Sequence, residues 1–190
     1  MGKTVVIALG GNAILQPGQR GTIAEQRENI ATACAEIARV LDGGHRVILT
    51  HGNGPQVGNI LIQNEEARAV APPAPLDVCG AQSQGMIGYL FQQELQRQTG
   101  QPAVSLVTQV VVDPADPAFQ SPSKPVGPFY APDMALRKQT EQGWAMKEDA
   151  GRGWRRVVPS PQPRRVVEAE TIRRLVADGA LVVACGGGGV

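Results

Sequence analysis

The sequence predicts an α/β protein: a mostly parallel sheet with helices on both faces, from which a small subdomain protrudes. Two observations carry this prediction. Short apolar, β-branched runs alternate along the chain with longer segments of helical periodicity, the order that builds strand–helix–strand crossovers. Three glycine clusters, beginning at Gly10, Gly52 and Gly186, each follow one of the apolar runs, where the ligand loops at the carboxyl ends of parallel strands belong.

Thr4 to Leu9 (TVVIAL) is apolar almost throughout, so it reads as a strand covered on both faces. After a polar loop, Thr22 and Glu25 have the spacing of a capping box, and Ile30, Cys34, Ile37, Ala38 and Leu41 recur at helical intervals up to Gly43 and Gly44. Arg46 to Thr50 is a second strand running into HGNGPQVG, and a helix opens near Pro55. Pro72, Pro73 and Pro75 punctuate a loop, Asp77 is read as an N-cap, and a long helix follows to Gln98, closed by Gly100. A third strand is expected over Ala103 to Thr108. From Val110 to about Pro163, frequent prolines break the alternation. Within that stretch a short helix is expected over Met134 to Gln142, and WAMKED with WRRVV reads as a hairpin. Regular order resumes with a helix over Glu168 to Asp178 and a strand over Ala180 to Cys185. The domain boundaries are therefore 1–109 with 164–190 for the α/β core and 110–163 for the protruding flap.

With 190 residues, 42% of them hydrophobic and 18% charged, the chain can bury a globular core and is far from the composition of disorder. A net charge of +1 supplies no general attraction to nucleic acid or an anionic membrane, so neither is an expected partner. No apolar run approaches the roughly 20 residues of a membrane span, and the N-terminus lacks a signal-peptide pattern, which reads as cytoplasmic. Cys34, Cys79 and Cys185 lack metal-ligand spacing and are expected to be reduced core residues; no metal site is expected.

Glycines after a strand let the backbone approach a ligand, and amides opening the next helix can point at an anion. LGGNA, with Gly10, Gly11 and Asn12, fits that description, although a plain strand-ending turn fits the same five residues. Gly52, Asn53 and Gly54 form a second such loop, and neither loop matches the P-loop or the dinucleotide fingerprint. His51 abuts the second loop as either an acid or base or a turn-bonding residue. Gly186, Gly187 and Gly188 follow the last strand as a third candidate phosphate contact, but a phosphate loop needs a following helix, and either the run is a flexible scar or the natural protein continues. Lys124, between Pro122 and Pro125, is either a surface lysine or a fixed charge for phosphoryl transfer. Arg152, Arg155 and Arg156 could clamp a phosphate, or be solvated and paired with Glu148 and Asp149.

Together ALGGNA, THGNGPQVG, PLDVCGAQSQGMIGY, DPAF, KPVGPFY, KEDAGRGWRRVVPSP and ACGGGG resemble carbamate kinase, of the amino-acid-kinase family, in order and spacing over nearly the whole chain. The resemblance implies the family's three-layer fold and reversible phosphoryl transfer between ATP and carbamate, giving ADP and carbamoyl phosphate, with Mg²⁺, usually in a homodimer and often in arginine fermentation. It suggests Gly10, Gly11, Asn12, Gly52, Asn53 and Gly54 as the cradle for carbamate and the moving phosphoryl group, and Lys124 as the catalytic charge reaching in from the flap. Relatives such as acetylglutamate kinase carry a lysine where this chain has Ala8, which favours carbamate kinase and puts more weight on Lys124. Family members run to roughly 300 residues, near the limit of one core. The resemblance therefore places most of the ATP site in a C-terminal half beyond Val190, and this chain alone is expected to be inactive. The alternatives are a non-catalytic anion-binding or dimerising module left from a truncated gene, pairing through the helix around Gln84 to Leu95, and a family member acting on another small acid.

Overall fold

The computed structural model describes residues 2–187, the side chain of Asn12 excepted. In chain order the elements are β1 (Thr4–Leu9), α1 (Gly11–Ile14), α2 (Ile23–Asp42), β2 (Arg46–His51), α3 (Gly54–Glu66), α4 (Leu76–Thr99), β3 (Ala103–Ser105), β4 (Val110–Val112), a 3₁₀ turn (Pro117–Phe119), β5 (Lys124–Tyr130), α5 (Pro132–Gln142), β6 (Met146–Glu148), β7 (Trp154–Val158), β8 (Pro163–Val166), α6 (Ala169–Ala177) and β9 (Leu181–Val183). The main sheet has the order β1-β2-β9-β3 and is parallel throughout.

Ile30, Cys34 and Ile37 of α2 and Ile87, Leu90, Phe91 and Leu95 of α4 cover one face, packed on Val47, Leu49, Leu181 and Val183. Ile172 and Val176 of α6 cover the other, against Val182 and Ala184. The predicted helices on both faces are therefore present. β9 is buried on both faces, and residues 181–184 alternate between the two cores. β1 departs from expectation: its residues alternate between exposed and half-buried, and Val6 is 62% exposed. It is the edge strand, and α6 packs on β9 and β2 instead, so the face of β1 bearing Thr4, Val6 and Ala8 is uncovered.

The helix signals operate locally as predicted. The Thr22 hydroxyl accepts the Glu25 amide, and the Glu25 carboxylate accepts the Thr22 amide at 2.8 Å, closing the capping box of α2. Thr22→Ala is expected to remove about 1 kcal/mol, a fall of about 2–4 °C in melting temperature for a chain of this size, measurable by calorimetry. Gly100 closes α4 in the left-handed conformation. Asp77, however, is not the N-cap: α4 starts at Leu76 behind Pro75, which places the carboxylate in the first turn, where the helix dipole favours it. β3 ends at Ser105 rather than Thr108, because the Gln84 side chain captures Thr108. Its Oε1 accepts the Thr108 amide at 2.9 Å, and its Nε2 donates to the Thr108 carbonyl at 3.1 Å.

Between the main-sheet strands, β4 pairs with β8, and β5-β7-β6 form a second antiparallel sheet. β5 packs on α3, and Lys138 of α5 forms an ion pair with Glu65 of α3 at 2.5 Å. All three cysteines are free thiols, Cys34 and Cys79 buried and Cys185 half-buried. Burial pushes the Cys34 thiol up to about 12, with the nearby Glu94 charge adding to it. No helix among the described residues is long and apolar enough to cross a membrane.

Candidate functional site

Because β2 lies between β1 and β9, the glycine clusters that follow these strands emerge side by side at the carboxyl edge of the sheet. The loops are stitched to one another. The Gly52 amide donates to the Leu9 carbonyl at 2.9 Å, and the Gly187 amide donates to the His51 carbonyl at 3.1 Å. A Cβ on Gly52 would stand 3.4 Å from the Gly11 nitrogen, so glycine at 52 leaves the approach to that amide open. Gly10 is the N-cap of α1 and Asn53 that of α3, with Pro55 in the first turn of α3. The opening amides of the two helices, including those of Gly11, Asn12 and Gly54, thus have no intrahelical acceptor. Residues 9–13, 51–58 and 184–187 contain no acidic side chain to oppose an anion there.

Asn53 is oriented from below. Its Nδ2 donates to Ser83 Oγ at 2.8 Å, and the Ser83 hydroxyl donates to the Gly80 carbonyl at 2.6 Å. The third loop lies directly over the second, since a Cβ on Gly186 would overlap the His51 ring and one on Gly187 the Asn53 side-chain carboxamide. His51 is 7% exposed and stacks on Phe91, with ring centroids 6.5 Å apart. Burial holds its imidazole below the usual histidine range, opposed by the hydrogen bond to the Gly52 carbonyl.

Of the residues singled out from sequence, Gly10, Gly11, Asn12 (by its backbone), Gly52, Asn53, Gly54, Gly186 and Gly187 are brought together at this edge; Gly188 lies outside the described residues. The amides of Gly52 and Gly187 are already taken by carbonyls, which leaves these two glycines as close-approach positions rather than donors. Lys124 opens β5 opposite Val158, exposed, and forms no ion pair among the described residues. No described contact joins its ammonium to the glycine loops.

The arginine hairpin is engaged internally. Arg152 and Arg155 pair with Asp149 at 3.0 and 3.4 Å and lie over Phe129, Arg155 also donates to the Gly127 carbonyl, and Arg156 lies over Trp144. Sequence reasoning missed Ser83, Gln84 and Phe91. A signal for the two polar residues existed: they share the helix face of Cys79, Gly80 and Ile87, and a polar residue on an apolar face needs a partner.

Comparison with known proteins adds three findings. Residues 3–190 match the model of the amino acid kinase family. A carbamate kinase of Pyrococcus furiosus is 53% identical over 197 residues, covering 100% of this chain and 63% of the relative; one of Halobacterium salinarum is 48% identical over 185 residues, covering 97% and 60%. Among solved structures, carbamate kinase from Giardia lamblia bound to AMP-PNP superposes with a TM-score of 0.91 at 48% identity, over 100% of this chain and 62% of that one. The chain thus spans 60–63% of the length of these relatives.

Proposed function

The chain belongs to the amino acid kinase family, and from that premise we propose that it carries the carbamate- and phosphoryl-binding site of a carbamate kinase. In that reaction a carbamate oxygen attacks the γ-phosphorus of ATP, the bond to the bridging oxygen breaks and ADP leaves; the reverse run makes ATP from carbamoyl phosphate. The observation that carries the reading is the convergence of the glycine loops on adjacent parallel strands, in a chain about half identical to carbamate kinases along its whole length. Phosphoryl transfer needs little from a protein except positioning and fixed positive potential. The opening amides at Gly11, Asn12 and Gly54 supply that potential, Gly10 and Gly52 keep the approach clear, and Asn53 is held at the rim by Ser83. Gly186 and Gly187 cover the second loop. Lys124, exposed and unpaired among the described residues, is the mobile charge that meets the transferred group, and residues 110–163 act as the flap that carries it.

The nucleotide reading rests on the family and on the Giardia relative bound to AMP-PNP. Mg²⁺ belongs to the proposed reaction, but among the described residues no group of three or more His, Cys, Asp or Glu is placed to hold it, and no step is assigned to these residues through it. Arginine breakdown in the cytoplasm as a homodimer is the setting that completes the proposal.

Titration calorimetry with carbamoyl phosphate tests it. The full chain is expected to bind the compound saturably, and Lys124→Met to weaken it about tenfold, the scale of one charge-assisted contact. Absence of saturable binding by a folded chain overturns the site; equal affinity in the variant overturns the role of Lys124. Supplying ADP and Mg²⁺ together with carbamoyl phosphate then measures whether these residues alone support ATP formation.

A further inference from the structure

We propose that His51 is the positioning residue of the anion cradle: its imidazole turns one backbone carbonyl out of the site and sets the height of the third glycine loop. The inference rests on the reading of the strand-end loops given above and assigns the histidine that the sequence left open.

A cradle made of backbone amides has an intrinsic weakness. Every peptide that offers an N–H also carries a carbonyl, and in a flexible glycine loop a peptide flip replaces an attractive dipole with a repulsive one. The peptide joining Gly52 to Asn53 is the one at risk, because it follows Gly52 in a loop with a second glycine at Gly54. His51 Nδ1 is 3.0 Å from the Gly52 carbonyl oxygen. A carbonyl can only accept, so Nδ1 carries the proton and donates it. The Gly52 amide is tied to the Leu9 carbonyl, so both polar groups of this residue are fixed, and the Asn53 amide on the far side of the peptide is held facing away from the captured carbonyl.

The other edge of the same ring sets the third loop. A Cβ on Gly186 would overlap both Cε1 and Nε2 of His51, so the Gly186 backbone rests directly on that edge. The next amide, that of Gly187, returns to the His51 carbonyl at 3.1 Å. Phe91, wholly buried, supports the ring from within the core. One residue therefore touches the second and third loops through its ring nitrogen, its ring edge and its backbone oxygen. These contacts also exclude the acid–base alternative. With Nδ1 bound to a carbonyl, Nε2 covered by Gly186 and the residue 7% exposed, neither nitrogen reaches a reacting group. Burial favours the neutral ring, in keeping with a steering role.

The test uses the full chain and three readouts. Nitrogen-15 NMR of the histidine ring is expected to show the Nδ1–H tautomer; an Nε2–H tautomer overturns the proposal whatever the chain binds. His51→Leu keeps bulk and loses the donor, whereas His51→Asn puts an amide donor near the Nδ1 position. Carbamoyl phosphate affinity is expected to fall about tenfold in His51→Leu, the scale of one lost hydrogen bond, and to recover most of that loss in His51→Asn. Amide shifts of Asn53, Gly186 and Gly187 are expected to move in His51→Leu and to return in His51→Asn. Wild-type affinity and unmoved shifts in a folded His51→Leu overturn the positioning role while leaving the anion site intact. If the wild-type chain binds no anion, the site reading fails, and the tautomer and the amide shifts still decide the role of His51. Should His51→Leu not fold, His51→Asn and the tautomer decide it: loss of affinity in a folded Asn variant that retains the hydrogen bond counts against the proposal.

Discussion

Replacing Phe91 with alanine is expected to lower the free energy of unfolding by about 3–5 kcal/mol, the range for removing a buried aromatic ring. Phe91 is wholly buried between α2, α4 and the sheet, and its ring also stacks beneath His51. The loss combines the transfer energy of the ring with the cavity it leaves, and neighbours fixed by both α2 and the sheet relax only in part. With a total stability of about 5–15 kcal/mol for a domain, the change consumes a large fraction of it. Urea unfolding followed by circular dichroism measures it. Tyr89→Ala, on the exposed side of the same helix at 53% exposure, serves as the control and is expected to change stability by about 0.5 kcal/mol or less. Equal stabilities of the two variants would contradict the placement of the α4 face.

Gly186→Ala is expected to act on the same histidine. The added methyl overlaps the His51 ring, which also stacks on the wholly buried Phe91. The third loop must lift, and the hydrogen bond from the Gly187 amide to the His51 carbonyl is lost with it. Overpacking of this kind costs about 1–3 kcal/mol. Carbamoyl phosphate affinity should fall about tenfold, the scale of one lost hydrogen bond that holds the loop in place. Thermal unfolding and calorimetry on the same preparation separate the two effects. A variant with wild-type melting temperature and affinity would show that the close approach of the loop to the ring has no bearing on the site.

The two variants differ in what sequence inspection could foresee. A buried aromatic in the middle of α4 is an ordinary expectation for a helix with apolar residues at Ile87, Leu90 and Leu95. That this ring supports a histidine at the end of another strand is not, because the contact joins residues 40 positions apart. The same division runs through the fold. The capping box of α2, the glycine stop of α4 and the β6–β7 hairpin were legible because each depends on interactions within a few residues. The far end of β3 and the start of α4 were misjudged because Gln84 and Pro75 competed with the local pattern. The open face of β1 was misjudged because an apolar run does not reveal which helix, if any, lies over it.

Residue order alone determined the alternating α/β elements, the glycine clusters after the strands and the resemblance to carbamate kinase, since periodicity, capping and turn chemistry are written over short stretches of chain. Only the tertiary structure decided that β2 lies between β1 and β9, that the Gly52 and Gly187 amides are already bonded while the opening amides of α1 and α3 lack helical partners, and that His51 lies beneath Gly186. The physical reason is that a backbone amide looks the same at every residue. Whether it is free to hold an anion depends on which distant carbonyl the folded chain places in front of it.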